Sequence, residues 1–256
     1  MTISSVVSHA VSTPPVAERT DLNLSVKRVT RALVFAVGLL LTLHLLSAAA
    51  STFWNVPERL QHFFSLNSEA NPGAWFSALQ LLFCALLLTV ITRSELGRRH
   101  PWYWGFLALG FYYLSLDEGA QVHELLTPLM HSTTGSATGL ARQGWVIPGM
   151  AVVAIVGLLY LRFLLLLPRR TAIQFAIGGI IFVLGVVGIE ILGSFFKESM
   201  AAESTSCNLK GDCGFSYDLL VALEEGMEMF GITIFANALM QLCLEACPKL
   251  RLSFTR

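Results

Sequence analysis

Six long apolar segments dominate this sequence, and each is long enough to cross the hydrocarbon core of a lipid bilayer. Because a helix rises about 1.5 Å per residue, such a crossing takes about 20 apolar residues. The segments are residues 31–52, 73–92, 102–122, 145–166, 171–194 and 217–243. Only 13% of the residues are charged, whereas soluble domains carry about 25%. The sequence therefore predicts an all-α, polytopic membrane protein with a bundle of six transmembrane helices.

The two ends of the chain are predicted to lie outside this bundle. Residues 1–26 contain Ser, Thr, Val and Pro without periodicity, which predicts a disordered tail. Residues 27–248 form the predicted transmembrane domain, and residues 249–256 form a second tail. The first span also resembles a cleavable signal peptide, because a basic region, an apolar region and a small-residue region follow one another. These regions are KRVTR, ALVFAVGLLLTLHLL and SAAAS. Its long preamble and its continuation into Phe53-Trp54 favour an uncleaved helix.

The distribution of basic residues predicts the orientation of the spans. If the N-terminus lies in the cytoplasm, 13 of the 17 Lys and Arg residues lie on the cytoplasmic side and four lie on the outer side. The four outer ones are Arg59, Arg142, Lys197 and Lys210. Because cytoplasmic loops are enriched in Lys and Arg, both termini are predicted to be cytoplasmic. The formal net charge of zero gives no reason to expect a nucleic-acid partner.

The ends of the spans carry local signals. Asn71-Pro72 combines an N-cap residue with proline at the first helical position. Aromatic side chains are also expected at both membrane interfaces. The tryptophans that fall near span ends are Trp54, Trp75, Trp102, Trp104 and Trp145. These signals support the positions at which the spans are predicted to begin and end.

Acidic residues and one histidine gather in the outer halves of three spans. They are Asp117, Glu118, His123 and Glu124 of span three, Glu190 of span five, and Glu224, Glu225 and Glu228 of span six. A charged side chain in the hydrocarbon core costs about 2.5–3.5 kcal/mol unless it faces a cavity, a partner or a metal. The three carboxylates of span six are therefore expected to face inward, to be protonated, or to bind a positive group.

Helical spacing predicts which of these side chains can meet. Glu224, Glu225 and Glu228 fall within one stripe of about 100° on span six. Asp117 and Glu124 are seven residues apart, so a continuous helix would place them on one face. No continuous helix aims all four polar residues of span three at one atom, but a break at Gly119 would allow it.

Carboxylates and a histidine from several helices are the ingredients of a metal site. An oxygen-rich set with one histidine suits Fe, Mn or Zn. The chain lacks the Glu-x-x-His motif of ferritin-like di-iron sites. The predicted ligands are Asp117, Glu124, Glu224, Glu225 and Glu228. Glu118 or Glu190 would act as general base, and His123 as ligand or proton carrier. The leading hypothesis is a divalent-metal site acting on a lipid or another membrane-soluble substrate.

Two other functions use the same acids. A cation or proton transporter, or a metal-handling accessory, would use them as a binding relay. A non-catalytic subunit would pair them with the basic residues of a membrane-protein partner. Purely structural roles are also open: the acids of span three as a solvated helix end, and Glu190 paired with Lys197.

Two further features bear on structure rather than on chemistry. His44 of span one is expected to be a packed, hydrogen-bonded residue rather than a ligand. Cys207 and Cys213 lie in the outer loop between spans five and six. They would form a disulfide in an oxidising compartment, or remain free thiols.

Three stretches, NPGAWFSALQLL, LSLDEGAQVHE and LEEGMEMFGITIF, resemble an uncharacterised group of bacterial multi-pass membrane proteins. The likeness extends from span one to span six. The residues of the candidate site that it includes are Asp117, Glu118, His123, Glu124, Glu190, Glu225 and Glu228. It implies location in a bacterial inner membrane and no particular activity. Ceramidase-like membrane hydrolases and membrane di-iron desaturases use richer histidine sets, so the chain is assigned to neither.

Overall fold

A computed structural model describes residues 25–68, 71–125, 128, 132, 144–202 and 212–246. The described residues form helices and no strand, which confirms the all-α prediction for this part of the chain. The helices are α1 Val26–Phe53, α2 Glu58–Phe64, α3 Pro72–Arg93, α4 Glu95–Arg99, α5 Pro101–Ala120, α6 Val146–Leu166, α7 Arg169–Val183, α8 Glu190–Ala202 and α9 Asp212–Ala246. A 3₁₀ turn, Val122–Leu125, follows α5, and a π-helical segment, Leu184–Ile189, joins α7 to α8.

Within the described residues, five helices are long and apolar enough to cross a membrane. They are Val26–Phe53, Pro72–Arg93, Val146–Leu166, Arg169–Phe196 and Gly214–Ala246. They match predicted spans one, two, four, five and six, so the chain is a multi-pass membrane protein. The predicted third span corresponds to the 20-residue helix α5. It is not among the five, because its Trp and Tyr residues and its acidic end lower its mean hydropathy.

The start of α3 has the predicted cap. The Asn71 side chain accepts a hydrogen bond from the backbone N–H of Ala74 at 2.9 Å, and Pro72 is the first helical residue. The amide of Asn71 also donates to the carbonyl of Ser65 at 2.7 Å. This residue therefore satisfies one of the free N–H groups of the helix and fixes the loop before it.

The tryptophans near the span ends divide into two groups. Trp54, Trp75 and Trp102 are between 68% and 75% exposed, as residues at a membrane interface would be. Trp104 is only 1% exposed, and its ring lies 4.9 Å from that of Phe163. Trp104 therefore packs against Phe163 of α6 inside the bundle instead of facing outward, and its place near a membrane interface stays a prediction.

Helix α9 lies at the centre of the bundle and packs against α1, α3 and α7. Two polar contacts join it to its neighbours. The Thr30 hydroxyl donates to Asn237 Oδ1 at 3.0 Å, and Gln80 Nε2 donates to the Thr233 hydroxyl at 3.0 Å. Polar pairs of this kind stabilise helix association where no water competes for them.

Helices α7 and α9 approach each other closely at a pair of glycines. A Cβ added to Gly178 would lie 2.8 Å from the carbonyl oxygen of Gly231. A Cβ added to Gly231 would lie 2.7 Å from the carbonyl oxygen of Gly178. The two backbones are therefore in direct contact, which only glycine allows at both positions.

His44 ties α1 to two other elements. It is 1% exposed, and its Nδ1 accepts a hydrogen bond from the Leu66 N–H at 3.2 Å. Because Nδ1 accepts, Nε2 carries the proton and donates it to the carbonyl oxygen of Asp218 at 3.0 Å. The predicted packed, hydrogen-bonded role of His44 is confirmed.

An aromatic stack fills the bundle away from the acidic residues. The Phe235 ring of α9 stacks on Phe175 of α7 at 4.1 Å and lies 5.0 Å from Phe111 of α5. Trp104 packs edge-on against Phe175, with the ring centres 6.4 Å apart. Phe235 is two helical turns, about 10 Å, further along α9 than Glu228. The acidic end, where α5 ends and α9 begins, is therefore separated from the opposite end by packed rings.

Candidate functional site

Carboxylates from three helices converge at the acidic end of the bundle. Glu225 of α9 is close enough to interact electrostatically with Glu118, near the end of α5, and with Glu190, at the start of α8. Glu228 interacts with the same two residues and with Glu224 and Glu225. These five residues are called the carboxylate cluster below. The sequence placed them at a similar depth, and the fold brings them together.

Glu190 owes its direction to the π-helical segment that precedes it. Leu184–Ile189 has a wider turn than the α-helices on either side, and Glu190 is the first residue after it. A π-helical turn takes up an extra residue, so every side chain after it is rotated relative to an uninterrupted α-helix. Such segments often occur at functional sites. Here the segment sets which face of the helix Glu190 occupies.

The same segment packs directly on the acidic turn of α9. A Cβ added to Gly185 would lie 2.9 Å from Glu228 Cγ and 3.0 Å from the carbonyl oxygen of Glu224. Gly188 in the same segment is not constrained in this way, since its nearest contact would be Leu184 at 3.7 Å. Gly185 therefore allows the helix that bears Glu190 to approach the glutamates of α9.

The end of α5 folds back on itself to form an Asp117–His123 pair. The backbone reverses at Gln121, which has a positive φ of 53°, and the Gln121 N–H donates to the carbonyl of Asp117 at 2.6 Å. Asp117 Oδ1 then accepts the backbone N–H of His123 at 2.8 Å. Asp117 Oδ2 lies 2.9 Å from His123 Nδ1. One carboxylate thus holds both the backbone and the ring of His123.

This geometry corrects two sequence predictions about span three. The helix does not break at Gly119 but continues to Ala120 and ends there. Because it ends before Glu124, Asp117 and Glu124 do not share a helical face. Glu124 lies in the 3₁₀ turn, and its side chain is outside the described part of the structure. Asp117 is 15% exposed, so it is not a solvated helix end.

Among the side chains that the structure describes, no Lys or Arg forms an ion pair with Glu190, Glu225 or Glu228. Nor do any three described His, Cys, Asp or Glu side chains lie in an arrangement that could hold a metal ion. The cluster is therefore close enough for charges to interact but is not closed around one point. Its donor chemistry, carboxylate oxygens, fits Mn or Fe, and an added imidazole would also fit Zn.

Other sequence predictions fall on side chains outside the described part. These are the pairing of Glu190 with Lys197 and the disulfide between Cys207 and Cys213. Cys84 and Cys243, which do lie in the described part, are both buried.

The sequence also missed a neighbour of the Asp117–His123 pair. The Trp145 ring, just before α6, meets the His123 ring edge-on at 5.1 Å. The position of Trp145 in the sequence indicated only a membrane interface. No spacing pattern links it to His123, because the connection between them is long and the contact is tertiary.

Comparison with known protein families gives a match over most of the chain. A family described as "Domain of unknown function (DUF8692)" matches residues 32–242, a range that includes the whole carboxylate cluster. This agrees with the resemblance to an uncharacterised family that the sequence indicated. No curated protein and no solved structure matches the chain.

Proposed function

The chain belongs to the DUF8692 family, whose function is unknown, and we propose from its own geometry that the carboxylate cluster holds a divalent metal ion. The observation that supports this proposal most is the convergence of Glu118, Glu190 and the α9 glutamates from three separate helices. We further propose that the site acts on a lipid or another membrane-soluble substrate.

The charge of the cluster is the physical reason for a cation. Like charges at close range disfavour one another, and burial in a membrane helix bundle increases that penalty. A divalent ion neutralises two of the negative charges. It also binds the carboxylate oxygens, which lose their hydrating water when they are buried. The oxygen-rich set favours Fe or Mn, and a contribution from His123 would also admit Zn.

The residues of the cluster then divide by position. Glu225 and Glu228, one turn apart on the central helix, would hold the ion, with Glu224 beside them. Glu118 and Glu190 approach from α5 and α8, and either would serve as general base toward a bound substrate. A bound metal of this kind supplies Lewis-acid chemistry or an activated water.

The packing of the bundle supports access from the acidic end or from the lipid. The aromatic stack around Phe235 fills the bundle on the other side of the cluster. A water-soluble substrate from the opposite end would have to pass these rings. A membrane-soluble substrate would reach the cluster without crossing them.

We also propose that α5 is a sixth span. The Ser115 hydroxyl donates to the carbonyl of Ala78 in α3 at 2.8 Å, near one end of α5. Near the other end, the carbonyl of Tyr103 accepts from the Tyr160 hydroxyl of α6 at 2.7 Å. Since a 20-residue helix is about 30 Å long, α5 runs alongside its neighbours over the thickness of a bilayer core. With six spans, both termini would lie on one side of the membrane, and the distribution of basic residues supports our proposal that this side is the cytoplasm of a bacterium.

A reporter fused after Arg256 is expected to behave as cytoplasmic, on the same side as a reporter before Met1. An even number of spans requires this, whereas five spans would put the two ends on opposite sides. A third fusion after Ser68, in the loop before α3, is the control and is expected to report the outer side. Opposite locations for the two terminal reporters would contradict the sixth span.

Adding Mn²⁺, Fe²⁺ or Zn²⁺ to the detergent-purified, metal-free protein is expected to raise its thermal unfolding temperature. A ligand at 100 times its Kd stabilises the folded state by about 2.7 kcal/mol. The double variant Glu225→Gln/Glu228→Gln keeps the side-chain size but removes two ligands. It is expected to need at least about 100-fold more metal for the same shift, since each 1.4 kcal/mol of lost binding energy is about tenfold in Kd.

The matched control for that titration is Glu245→Gln, at the exposed end of the same helix. It is expected to respond like the wild type. If the double variant and the wild type shift equally, the cluster does not hold the metal.

A second candidate is a proton-binding relay for transport. The absence of a closed three-ligand arrangement among the described side chains favours it, and the aromatic stack argues against a path through the bundle. Metal-independent proton flux into liposomes that is lost in the double variant would favour transport over a metal site.

A further inference from the structure

The connection between α2 and α3 is bonded to a buried histidine ring. The Leu66 N–H donates to His44 Nδ1 at 3.2 Å, and His44 Nε2 donates to the Asp218 carbonyl at 3.0 Å. The His44 side chain is 1% exposed. A ring nitrogen accepts a hydrogen bond only when it carries no proton, so these two contacts together require the neutral imidazole.

A proton on His44 Nδ1 would remove the first contact and keep the second. The imidazolium has an N–H on both nitrogens, so the new N–H would face the Leu66 N–H with no acceptor between them. A buried donor that loses its acceptor destabilises the arrangement that buries it. The Nε2–H would still donate to the Asp218 carbonyl. Protonation therefore acts on the side of the ring that holds Leu66.

Leu66 also packs the connection against α9. Its side chain is 7% exposed and belongs to one hydrophobic cluster with Val37 of α1 and with Val221 and Met229 of α9. Glu225 lies one turn from each of these two α9 residues, so all three share a side of the helix. The connection therefore covers a part of α9 that continues into the carboxylate cluster.

The carboxylate of Asp218 favours the other protonation state of the ring. It lies close enough to His44 to interact electrostatically, and a nearby negative charge stabilises an imidazolium. The neutral ring thus gains the Leu66 contact, whereas the charged ring loses that contact and gains the attraction of Asp218. Each protonation state favours a different position of Leu66, which is the requirement for a two-state switch.

Other ionisable groups near His44 lie on α3, on α9 and in the connection. Helix α3 carries no acidic or basic side chain before Arg93. On α9, the Tyr217 hydroxyl donates to Asn67 Oδ1 at 3.2 Å, and a phenol stays neutral where a histidine titrates. Glu69 lies outside the described residues. Helix α2 adds three exposed side chains, Glu58, Arg59 and His62. Among all these groups, His62 is the one whose residue type titrates in the same pH range as His44.

We propose that His44 is a pH-sensitive switch on the connection between α2 and α3: the neutral ring holds Leu66 against α9, and proton uptake by the ring releases it. Because the closed arrangement binds one proton fewer, it is favoured at high pH and is lost as the pH falls. Release uncovers the side of α9 next to Glu225, and this consequence for the site rests on the proposed function. The switch itself does not.

Hydrogen exchange at the Leu66 amide tests the switch in the full-length protein in detergent. The measured rate is compared with the intrinsic rate at each pH, which gives the protection of this amide. Release is coupled to one proton, so it becomes up to about tenfold more favourable per pH unit. Between about pH 8 and about pH 5, the range in which histidine titrates, protection of Leu66 is expected to fall at least about tenfold. Protection within α3 is expected to stay constant, which separates release of the connection from unfolding.

Two glutamine variants assign this pH dependence. The His44→Gln side chain has a donor and an acceptor but takes up no proton, so protection of Leu66 is expected not to change with pH. His62→Gln is the matched control and is expected to behave like the wild type. Equal protection of wild-type Leu66 at both pH values would overturn the proposal. So would a pH dependence that persists in His44→Gln or that disappears in His62→Gln.

These measurements need no added metal, so they fail or succeed separately from the proposed metal site. If the wild type binds no metal, the proposed function is wrong and the exchange at Leu66 still decides whether His44 is a switch. If metal binds and exchange at Leu66 is independent of pH, the metal site stands and the switch is wrong.

Discussion

Replacing Gly178 by leucine is expected to destabilise the bundle by about 3 kcal/mol or more, which is the upper range for overpacking a tight contact. Even the first carbon of the new side chain would lie 2.8 Å from the backbone carbonyl of Gly231. A backbone atom of the central helix cannot move aside as a side chain can. The two helices must then separate, and this also draws Glu190 away from the glutamates of α9.

The neighbouring residue provides the control for this prediction. A Cβ on Gly179 would meet nothing within 4 Å, so Gly179→Leu is expected to leave the unfolding midpoint almost unchanged. Both variants add the same side chain to the same helix, so differences in helix propensity and hydrophobicity cancel. The measurement is denaturation of the detergent-solubilised protein by heat or by SDS. Equal stability of the two variants would contradict the direct backbone contact between α7 and α9.

Glu228→Lys is expected to abolish metal binding and to make the metal-free protein more resistant to heat. The new ammonium group would lie among Glu118, Glu190, Glu224 and Glu225, so it supplies inside the chain the positive charge that we assign to the metal. A close opposite charge in a partly buried site stabilises ionised carboxylates. We expect a loss of metal affinity of at least about 100-fold, because a ligand is removed and a like charge repels the ion.

The comparison variant is Glu245→Lys, with the same substitution at an exposed position near the end of the same helix. It is expected to change neither metal affinity nor the stability of the metal-free protein. If Glu228→Lys is instead far less stable than metal-free wild type, a positive charge at this position does not stabilise the carboxylates around it, and the electrostatic argument for a cation is wrong.

The pattern of apolar residues predicted the long, regular helices of the bundle. Hydropathy located α3 at Pro72–Arg93 and α6 at Val146–Leu166 to within a residue of the expected spans. It underestimated α1 and α9, since helical structure continues past the apolar residues at Val26 and at Asp212. The length of an apolar segment corresponds to the part of the helix that crosses the hydrocarbon core. Hydrogen bonding and packing determine where the helix itself begins and ends.

The sequence predicted less well where the chain departs from a regular helix. Gly119 was the natural candidate for a break, yet the reversal occurs at Gln121, a residue with no intrinsic preference for positive φ. The contacts of Asp117 with His123 stabilise that turn, and they exist only after it has formed. The π-helical segment before Glu190 also depends on tertiary contacts. Packing of Gly185 on α9 favours this segment, and no local sequence motif predicts it.

The sequence predicted the residues of the candidate site but not how the fold brings them together. The positions of Glu118, Glu190 and the α9 glutamates within their spans predicted that these residues lie at a similar depth in the membrane. Because an acidic residue in a hydrocarbon core is energetically costly, this depth indicated a functional site. The sequence could not show which helices are neighbours. The position of α9 at the centre of the bundle decides that the acids of α5 and α8 both face it.

The most direct test of the proposed metal site is elemental analysis of the wild-type protein, purified in detergent without chelators, beside Glu225→Gln/Glu228→Gln. We expect close to one equivalent or more of Fe, Mn or Zn per wild-type chain and little in the double variant, with both proteins folded by circular dichroism. Metal-free wild type from cells grown with these metals, or equal metal in the two proteins, would contradict a metal site in the carboxylate cluster.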